Sequence, residues 1–295
     1  MVKAVVFAYH TIGVNALKVL LNHKVKVSLV LTHEDNPDEL IWFESVKKLA
    51  KKEGLKVITP ENPNQSQIIK KIKRAKPDFI FSFYYRHMLS EEILKLAKRG
   101  AYNLHGSLLP KYRGRVPINW AIIHGEKETG ASLHVMTKKP DQGDIVAQKK
   151  VSIEIDDTAK EVFDKVSDAA IRALDEVLPA LLKGKARHQK QNLKKGSYFG
   201  GRKAEDGQIN WAQSSLAIHN LVRAVAPPYP GAFTFIQGQK LSILRTSLTH
   251  TNDAIAKTVG GDGKNLYLLA LELDGQPLDA EEFKKRFPQG VRPDL

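Results

Sequence analysis

The sequence contains no cysteine. Disulfides, thiolate nucleophiles and cysteine-ligated zinc are therefore excluded. A chain without cysteine fits a reducing compartment, so we expect a cytoplasmic protein. No stretch of about 18 apolar residues occurs, and the first apolar run breaks at Tyr9 and His10. The sequence therefore predicts neither membrane insertion nor a signal segment.

The common nucleotide and metal motifs are also missing. The segment AYHTIG, which follows the first apolar run, lacks the G-x-G-x-x-G that cradles a pyrophosphate, which disfavours a nicotinamide enzyme. Neither a G-x-x-x-x-G-K-[ST] loop nor an H-E-x-x-H helix is present. The 10 histidines do not cluster at metal-ligand spacing. We therefore expect no metal site.

The composition is that of a globular protein with an excess of positive charge. Of 295 residues, 42% are hydrophobic and 26% are charged, which suits one large domain or two smaller ones. Lysine and arginine total 46 against 32 acidic residues, for a net charge of +14. Such a balance fits a lysine-rich surface or an anionic partner such as a phosphorylated metabolite, a nucleic acid or a folate tail. Charge alone does not choose among these, and nothing in the sequence indicates an oligomeric state.

Apolar runs alternate with helical patterns over the first 150 residues. Strands are predicted at 4–8, 25–32, 55–59, 78–83 and 101–104, and helices at 14–22, 41–54, 65–75 and 90–97. This alternation predicts βαβ units and a Rossmann-like, mostly parallel α/β sheet. Two further strands are predicted at 129–136 and 144–153. A long helix follows Asp157, with Thr158 and Glu161 as its capping box.

A basic segment separates this region from a β-rich C-terminal part. Residues 183–203 carry no acidic residue, and their cations are Lys183, Lys185, Arg187, Lys190, Lys194, Lys195, Arg202 and Lys203. The segment is typical of a solvated linker. Beyond it we predict helices at 214–225 and 280–286 and β runs at 232–236, 240–246 and 265–271. We expect an α/β domain over 1–188, a linker over 189–203 and a smaller open-barrel, OB-like domain over 204–295.

The segment NLHGSLLPKYRGRVP at 103–117 is the first candidate site, because ligands bind at the carboxyl ends of strands in open α/β sheets. Asn103 and His105 are two residues apart and share one face of an extended strand. An asparagine amide can donate to a developing oxyanion, and histidine can move a proton near neutral pH. Such a pair by itself is more often structural.

The segment KKPDQGDI at 138–145 is the second candidate. Asp141 and Asp144 lie in a glycine-containing turn between two predicted strands, where an Asx-turn is the ordinary interpretation. The alternative is a carboxylate that holds the His105 ring in one tautomer and stabilises its charged form.

Together the two segments resemble a known signature. NLHGSLLPKYRG followed by D-x-G-D-I is similar to the pattern of the folate-dependent formyltransferases, which move a formyl group from 10-formyltetrahydrofolate to an amine. The resemblance implies that His105 transfers protons, that Asn103 stabilises the oxyanion and that Asp141 is the partner of His105. It also implies a catalytic role for the 1–188 domain and no metal, because an N-formyl donor is already activated.

The resemblance extends to the folate contacts. It implies that the strand end at His87, Met88 and Leu89 presents backbone to the pterin. It further implies that the folate is lined by Arg115 and by the turn Thr137, Lys138, Lys139, Pro140 and Asp141.

Other segments bear on the acceptor. VVFAYHTIG, LTHEDNPDE, FSFYYRH, NWAIIHGE and VRAVAPPYPGAF, within residues 4–233, are similar to the formyltransferase half of bifunctional polymyxin-resistance enzymes. That resemblance implies a sugar-nucleotide acceptor, UDP-4-amino-4-deoxy-L-arabinose, and a part in lipid A modification. After about residue 245 the segment LELDGQPLDAEEF instead resembles the C-terminal barrel of methionyl-tRNA formyltransferases.

Two alternatives stay open. A methionyl-tRNA formyltransferase is favoured by the basic segment, because phosphate contacts drive tRNA binding. It is disfavoured by the acidic loop that contains Glu34, Asp35, Asp38 and Glu39, which would repel phosphates. A catalytically silent nucleotide- or RNA-binding module is the other alternative, and the intact Asn103, His105 and Asp141 argue against it.

Overall fold

The computed structural model describes residues 1–35 and 41–291, so Asp38 and Glu39 of the acidic loop lie outside the described residues. The chain forms two compact units. The first comprises Met1–Gly114, Thr129–Val151 and Lys165–Phe199, and the second Arg115–Glu128, Ser152–Asp164 and the described part of Gly200–Leu295. Each unit is thus assembled from three chain segments. The continuous domain boundaries expected near 188 and 203 stay a prediction.

A mostly parallel sheet organises the first unit. The strands β1 to β9 are Lys3–Ala8, Lys26–Leu31, Val57–Ile58, Phe79–Phe83, Ala101–His105, Arg113–Gly114, Glu128–Val135, Ile145–Ser152 and Tyr198–Phe199. Within the described ranges, seven of them form one sheet in the order β3-β2-β1-β4-β5-β7-β8. The pairs from β3 to β5 are parallel, whereas β5 and β7 are antiparallel. The predicted α/β fold class is confirmed.

The central strands are apolar because both faces of the sheet are covered. Every residue of β4 is buried, as are all but the first residue of β1. The helices α1 to α6 are His10–Asn22, Val46–Lys52, Ser66–Ala75, Glu91–Leu94, Pro117–Ile123 and Ala159–Leu182. The predicted capping box at the start of α6 is confirmed, since the Thr158 amide donates to Glu161 Oε2 at 2.7 Å.

Helix boundaries differ from the prediction in three places. Helix α1 begins at His10 rather than at 14, because its first turn has a single apolar side chain, Ile12, and so shows no apolar period. Helix α2 begins only at Val46, after the Ser45 cap, and Trp42 lies outside it with its ring 4.6 Å from that of His10. Helix α4 covers only Glu91–Leu94 instead of 90–97. The short elements α5, β6 and β9 were not predicted, since two to seven residues show no clear periodicity.

The second unit contains an antiparallel sheet. The strands β10 to β14 are Ala232–Ile236, Gln239–Ser247, Ala256–Val259, Asn265–Leu273 and Gln276–Leu278, and the helices α7 and α8 are Ser215–Val225 and Ala280–Arg286. The order is β10-β11-β13-β12, with β14 also paired to β13. Apolar residues of α7, β11 and β13 form its core. The predicted smaller β-rich part is confirmed, although β12 and β14 were missed.

None of the helices within residues 1–35 and 41–291 is both long and apolar enough to cross a membrane.

Candidate active site

Antiparallel pairing of β5 with β7 brings together two polar side chains. Asn103 on β5 is the register partner of His134 on β7, and Asn103 Nδ2 lies 3.2 Å from His134 Nε2. His105, two residues further along β5, is the register partner of Ser132. Sequence spacing placed Asn103 and His105 on one strand, but only the pairing register adds His134 to them.

His105 is buried, with 7% of its surface exposed. Its Nε2 donates to the Tyr112 carbonyl oxygen at 2.8 Å. Because a carbonyl only accepts, this bond places the ring proton on Nε2 and leaves Nδ1 with its lone pair. Nδ1 faces Asp141 Oδ1 at 3.7 Å, which is too long for a hydrogen bond but short enough for a strong charge interaction. The tautomer of His105 is therefore fixed by Tyr112, and not by Asp141 as the sequence pattern suggested.

Asp141 lies in the turn between β7 and β8, as predicted. Its backbone is left-handed, with φ of 55°. Its Oδ2 accepts a hydrogen bond from the Gly114 amide at 2.9 Å, and its Oδ1 lies 3.3 Å from His134 Nε2. Position 143 in the same turn has room only for glycine, since a Cβ there would collide with the Val135 carbonyl.

Burial and neighbouring charges set the protonation states of Asp141 and His105. Burial alone would raise the pKa of Asp141, but the facing His105, the hydrogen bond from His134 and the Gly114 amide together hold that pKa well below its usual range. Burial lowers the pKa of His105, and the Asp141 charge and the Tyr112 carbonyl offset this only in part. Near neutral pH the site thus combines an ionised carboxylate with a neutral imidazole that can take a proton.

His134 was missed by the sequence reasoning. It is 1% exposed, and its Nδ1 donates to the Val135 carbonyl at 2.9 Å. Its Nε2 accepts from Asn103 when unprotonated and donates to Asp141 when protonated, so it links the two predicted site residues. The signal available in the sequence was the alternation of the polar Ser132 and His134 with the apolar Ala131, Leu133 and Val135.

A buried network fixes the loop that follows β5. Ser132 Oγ donates to the Ser107 carbonyl at 2.6 Å and accepts from the Leu109 amide at 3.2 Å. Gln148 on β8 donates to the same Oγ at 2.8 Å and to the Leu109 carbonyl at 3.0 Å. The loop leading to Tyr112 and Gly114 is therefore anchored on two strands of the sheet.

Three of the predicted folate contacts line one cavity of about 480 Å³ in the first unit. Met88, Leu89 and Lys138 border it, together with Asn64, Ser90, Glu91 and Glu92. The prediction that residues 87–89 form a strand end is wrong, because β4 ends at Phe83. Asn64 holds this segment instead: it donates to the Met88 carbonyl at 3.0 Å and accepts from the Ser90 amide at 2.8 Å.

The remaining predicted folate contacts are dispersed. His87 is exposed, and its ring centre lies 5.0 Å from that of His33. Thr137 Oγ1 donates to the Lys139 carbonyl at 2.8 Å, which shapes the turn that continues through Pro140. Lys138 pairs with Glu91 at 3.5 Å. Arg115 belongs to the second unit, where a Cβ at Gly201 would lie 3.5 Å from its Cδ. The folate roles of these residues stay predictions.

In the part of the chain that the structure describes, no group of three or more histidine, aspartate or glutamate side chains could hold a metal ion.

Comparison with known families and structures agrees with this geometry. The model of the family described as formyl transferase matches residues 9–178, and that of the formyl transferase C-terminal domain matches residues 202–288. The first match spans β5, β7 and the turn that carries Asp141. The two matches together cover both the α/β region and the antiparallel sheet.

Solved structures share the fold. An N-formyltransferase from Helicobacter canadensis, in complex with folinic acid and dTDP-3-aminofucose, has a TM-score of 0.72 at 23% identity over 91% of this chain and 99% of that one. A sugar N-formyltransferase from a Shewanella species has a TM-score of 0.67 at 20% identity, over 85% and 100% of the two chains. The methionyl-tRNA formyltransferase from Clostridium thermocellum has a TM-score of 0.61 at 18% identity, over 95% and 100%. With the family models matched over most of its length, the chain belongs to the formyl transferase family.

Proposed function

We propose that this formyltransferase transfers the formyl group of 10-formyltetrahydrofolate to the amine of a nucleotide-linked amino sugar. The observation that carries the proposal is the group formed by a buried, neutral His105 with the half-buried Asn103 and ionised Asp141 on the carboxyl side of β5. These are a hydrogen-bond donor, a base and a counter-charge for that base. Acyl transfer to an amine requires these three functions.

Each residue has a defined task. When bound, the folate supplies an activated N-formyl group, whose bond to the folate nitrogen breaks as the bond to the acceptor amine forms. His105 Nδ1 takes the proton that the amine loses and passes it to the folate nitrogen as the bond between that nitrogen and the formyl carbon breaks. The Asp141 carboxylate at 3.7 Å stabilises the resulting imidazolium, while Tyr112 keeps Nε2 protonated throughout. Asn103 donates its amide to negative charge on the formyl oxygen.

The cavity beside Met88 and Leu89 supports folate binding. Its volume of about 480 Å³ lies in the range of pockets for drug-sized ligands. Leu89 supplies a buried apolar wall. Lys138 at the rim pairs with Glu91 at 3.5 Å, and Glu92 also lines the cavity. The apolar wall therefore fits the ring system of an amphipathic ligand, whereas the charges at the rim do not favour an anionic tail.

Two observations support a sugar acceptor. The Helicobacter canadensis N-formyltransferase, in complex with dTDP-3-aminofucose, and the Shewanella sugar N-formyltransferase share the fold over most of this chain. The motifs within residues 4–233 add the finer proposal that the acceptor is UDP-4-amino-4-deoxy-L-arabinose. Cytoplasmic synthesis of a sugar for lipid A modification, and through it polymyxin resistance, belongs to that finer proposal.

Methionyl-tRNA is the second candidate acceptor. Seven of the eight cations of segment 183–203 are exposed, and Arg202 is half-buried. The expected repulsion from the acidic loop is also reduced, because Glu34 pairs with Lys47 at 2.5 Å and accepts a hydrogen bond from Thr59. The segment therefore offers phosphate contacts, and the acceptor has to be decided by assay.

The deciding experiment offers competing acceptors to the same enzyme. The protein is incubated with 10-formyltetrahydrofolate and UDP- and dTDP-linked amino sugars or charged initiator methionyl-tRNA, and products are weighed by mass spectrometry. We expect a 28 Da gain on a UDP-linked 4-amino sugar and none on the tRNA. Efficient tRNA formylation without sugar turnover would overturn the sugar proposal. If the protein formylates no acceptor but binds nucleotide or RNA, the result would indicate the catalytically silent binding module.

A further inference from the structure

The middle of the basic segment contacts the loops that carry Asp141 and Tyr112. We call residues 189–199 the strap. At its start, Gln189 and Ile145 exchange two backbone hydrogen bonds of 2.8 Å, which tie the strap to the beginning of β8. At its end, β9 pairs with β6. The intervening residues therefore run between the turn of Asp141 and the loop of Tyr112, although the sequence suggested a solvated linker.

Gln191 is the buried residue of the strap, with 8% of its surface exposed, whereas its neighbours Lys190 and Asn192 are exposed. Its Nε2 donates to the Asp141 carbonyl at 3.0 Å and to the Gly143 carbonyl at 2.6 Å. Both amide hydrogens thus bind one turn. Its Oε1 is buried without a partner among the described residues, so the two donated bonds orient this side chain.

Ser197 holds the opposite loop. Its Oγ accepts from the Tyr112 amide at 2.9 Å, and its carbonyl accepts from the Arg113 amide at 3.0 Å. The ring of Phe199 stacks on that of Tyr112 with centres 5.4 Å apart. The loop so held supplies the Tyr112 carbonyl to His105 and the Gly114 amide to Asp141.

We propose that the strap sets the distance between His105 and Asp141, and that Gln191 is a positioning residue for Asp141. The inference rests on the proposed function, in which Asp141 stabilises the protonated His105. The Asp141 backbone is in the left-handed region that non-glycine residues rarely adopt. A pair of donors on the carbonyls of 141 and 143 holds that turn, and with it the carboxylate. A misplacement of about 1 Å can cost about 100-fold in rate.

The test compares Gln191→Met with wild type. Methionine has a similar length and is apolar, so it fills the site but cannot donate. Asn192→Met is the matched control, since it also replaces an amide with the same side chain, at the exposed neighbouring position. We expect Gln191→Met to lower kcat about 10- to 100-fold with KM for folate and acceptor little changed, and Asn192→Met to keep wild-type kcat.

A second readout does not depend on any acceptor. The ring of His105 is titrated by NMR in wild type and in Gln191→Met, with its signals identified by their loss in His105→Gln. Because the Asp141 charge supports the protonated ring, its displacement should move the His105 titration to lower pH. This shift is measurable even if wild type formylates none of the acceptors offered. A failure of the proposal about the strap can therefore be distinguished from a failure of the proposed function.

Ser197→Ala keeps the test decisive if Gln191→Met does not fold. It removes the acceptor of the Tyr112 amide and should lower kcat by a smaller factor, with a His105 titration that also moves. A folded Gln191→Met with wild-type kcat and an unchanged His105 titration would overturn the proposal. So would an unfolded Gln191→Met accompanied by a Ser197→Ala variant that matches wild type in both measurements.

Discussion

His105 in the first unit and His219 in the second are both buried, and the two side chains are bonded differently. In the second unit, His219 hydrogen-bonds Thr246 Oγ1 through Nδ1 and the Ile155 carbonyl through Nε2, both at 2.9 Å. In the first unit, Nε2 of His105 is bonded, whereas Nδ1 faces a carboxylate at 3.7 Å. Burial lowers the pKa of both. Burial and pKa therefore do not separate these two histidines, but the occupancy of the second ring nitrogen does.

The largest effect is expected for His105→Ala. General acid–base catalysis is usually worth about 10²–10⁴ in rate, so we expect at least that loss in kcat for amino-sugar formylation. His219→Ala, measured in the same assay, should retain wild-type kcat. Equal losses in the two variants would mean that the comparison does not separate the roles.

Asp141→Asn comes next, because it removes the charge and keeps the shape. The imidazolium loses its counter-charge, and an asparagine amide turned towards Nδ1 would occupy the base. We expect a severe loss of kcat in the same formylation assay, within the factor of about 10²–10⁴ that general acid–base catalysis usually contributes.

A double variant tests whether Asp141 acts through His105. His105→Ala/Asp141→Asn should be little worse than His105→Ala alone, since residues that act as one unit are not additive. If the losses of the two single variants multiply in the double variant, Asp141 acts separately from His105. It could then act through His134, whose Nε2 lies 3.3 Å from Asp141 Oδ1, closer than His105 Nδ1 at 3.7 Å.

Asn103→Ala should lower kcat about 10²–10³-fold, the usual consequence of losing one oxyanion donor. Folate binding, followed by fluorescence or calorimetry, should persist because Asn103 is not among the residues that line the cavity proposed for folate. Near wild-type turnover would show that another group holds the oxyanion.

His219→Ala should act on stability. The change leaves the Ile155 carbonyl and the Thr246 hydroxyl without their buried partner, and an unsatisfied buried group costs about 1–3 kcal/mol. Urea unfolding should show a loss of this size in the free energy of unfolding. An unchanged midpoint would contradict a structural role for His219.

The smallest effect concerns pH. Folding lowers the pKa of His219 below its ordinary value near 6.5. As pH falls below about 6.5, the unfolded chain therefore binds more protons than the folded chain. The free energy of unfolding should therefore decline on acidification, by at most about 1.4 kcal/mol per pH unit for each such histidine. His105 adds to this in the same direction. His219→Gln should flatten the decline measured by urea unfolding at pH 7.5 and 5.5, and an unaltered slope would contradict the assignment.

The sequence anticipated the parts of the site that motifs encode. The pair Asn103 and His105 on one strand, and Asp141 in a turn between two strands, are where the spacing placed them. It did not anticipate His134, whose neighbour Asn103 is 31 positions away and is set by an antiparallel register. It also could not assign Gln191, which reaches Asp141 across 50 positions from a segment whose composition predicts a solvated linker.

By itself the sequence determined the fold class, the alternation of strands and helices and the identities of the predicted catalytic residues, because periodicity and short motifs are local properties of the chain. The tertiary structure decided which atoms meet. The Tyr112 carbonyl sets the His105 tautomer, the Gly114 amide holds Asp141, and β7 supplies the additional histidine. These contacts depend on strand register and loop paths, which arise from packing between distant segments, and no local pattern specifies them.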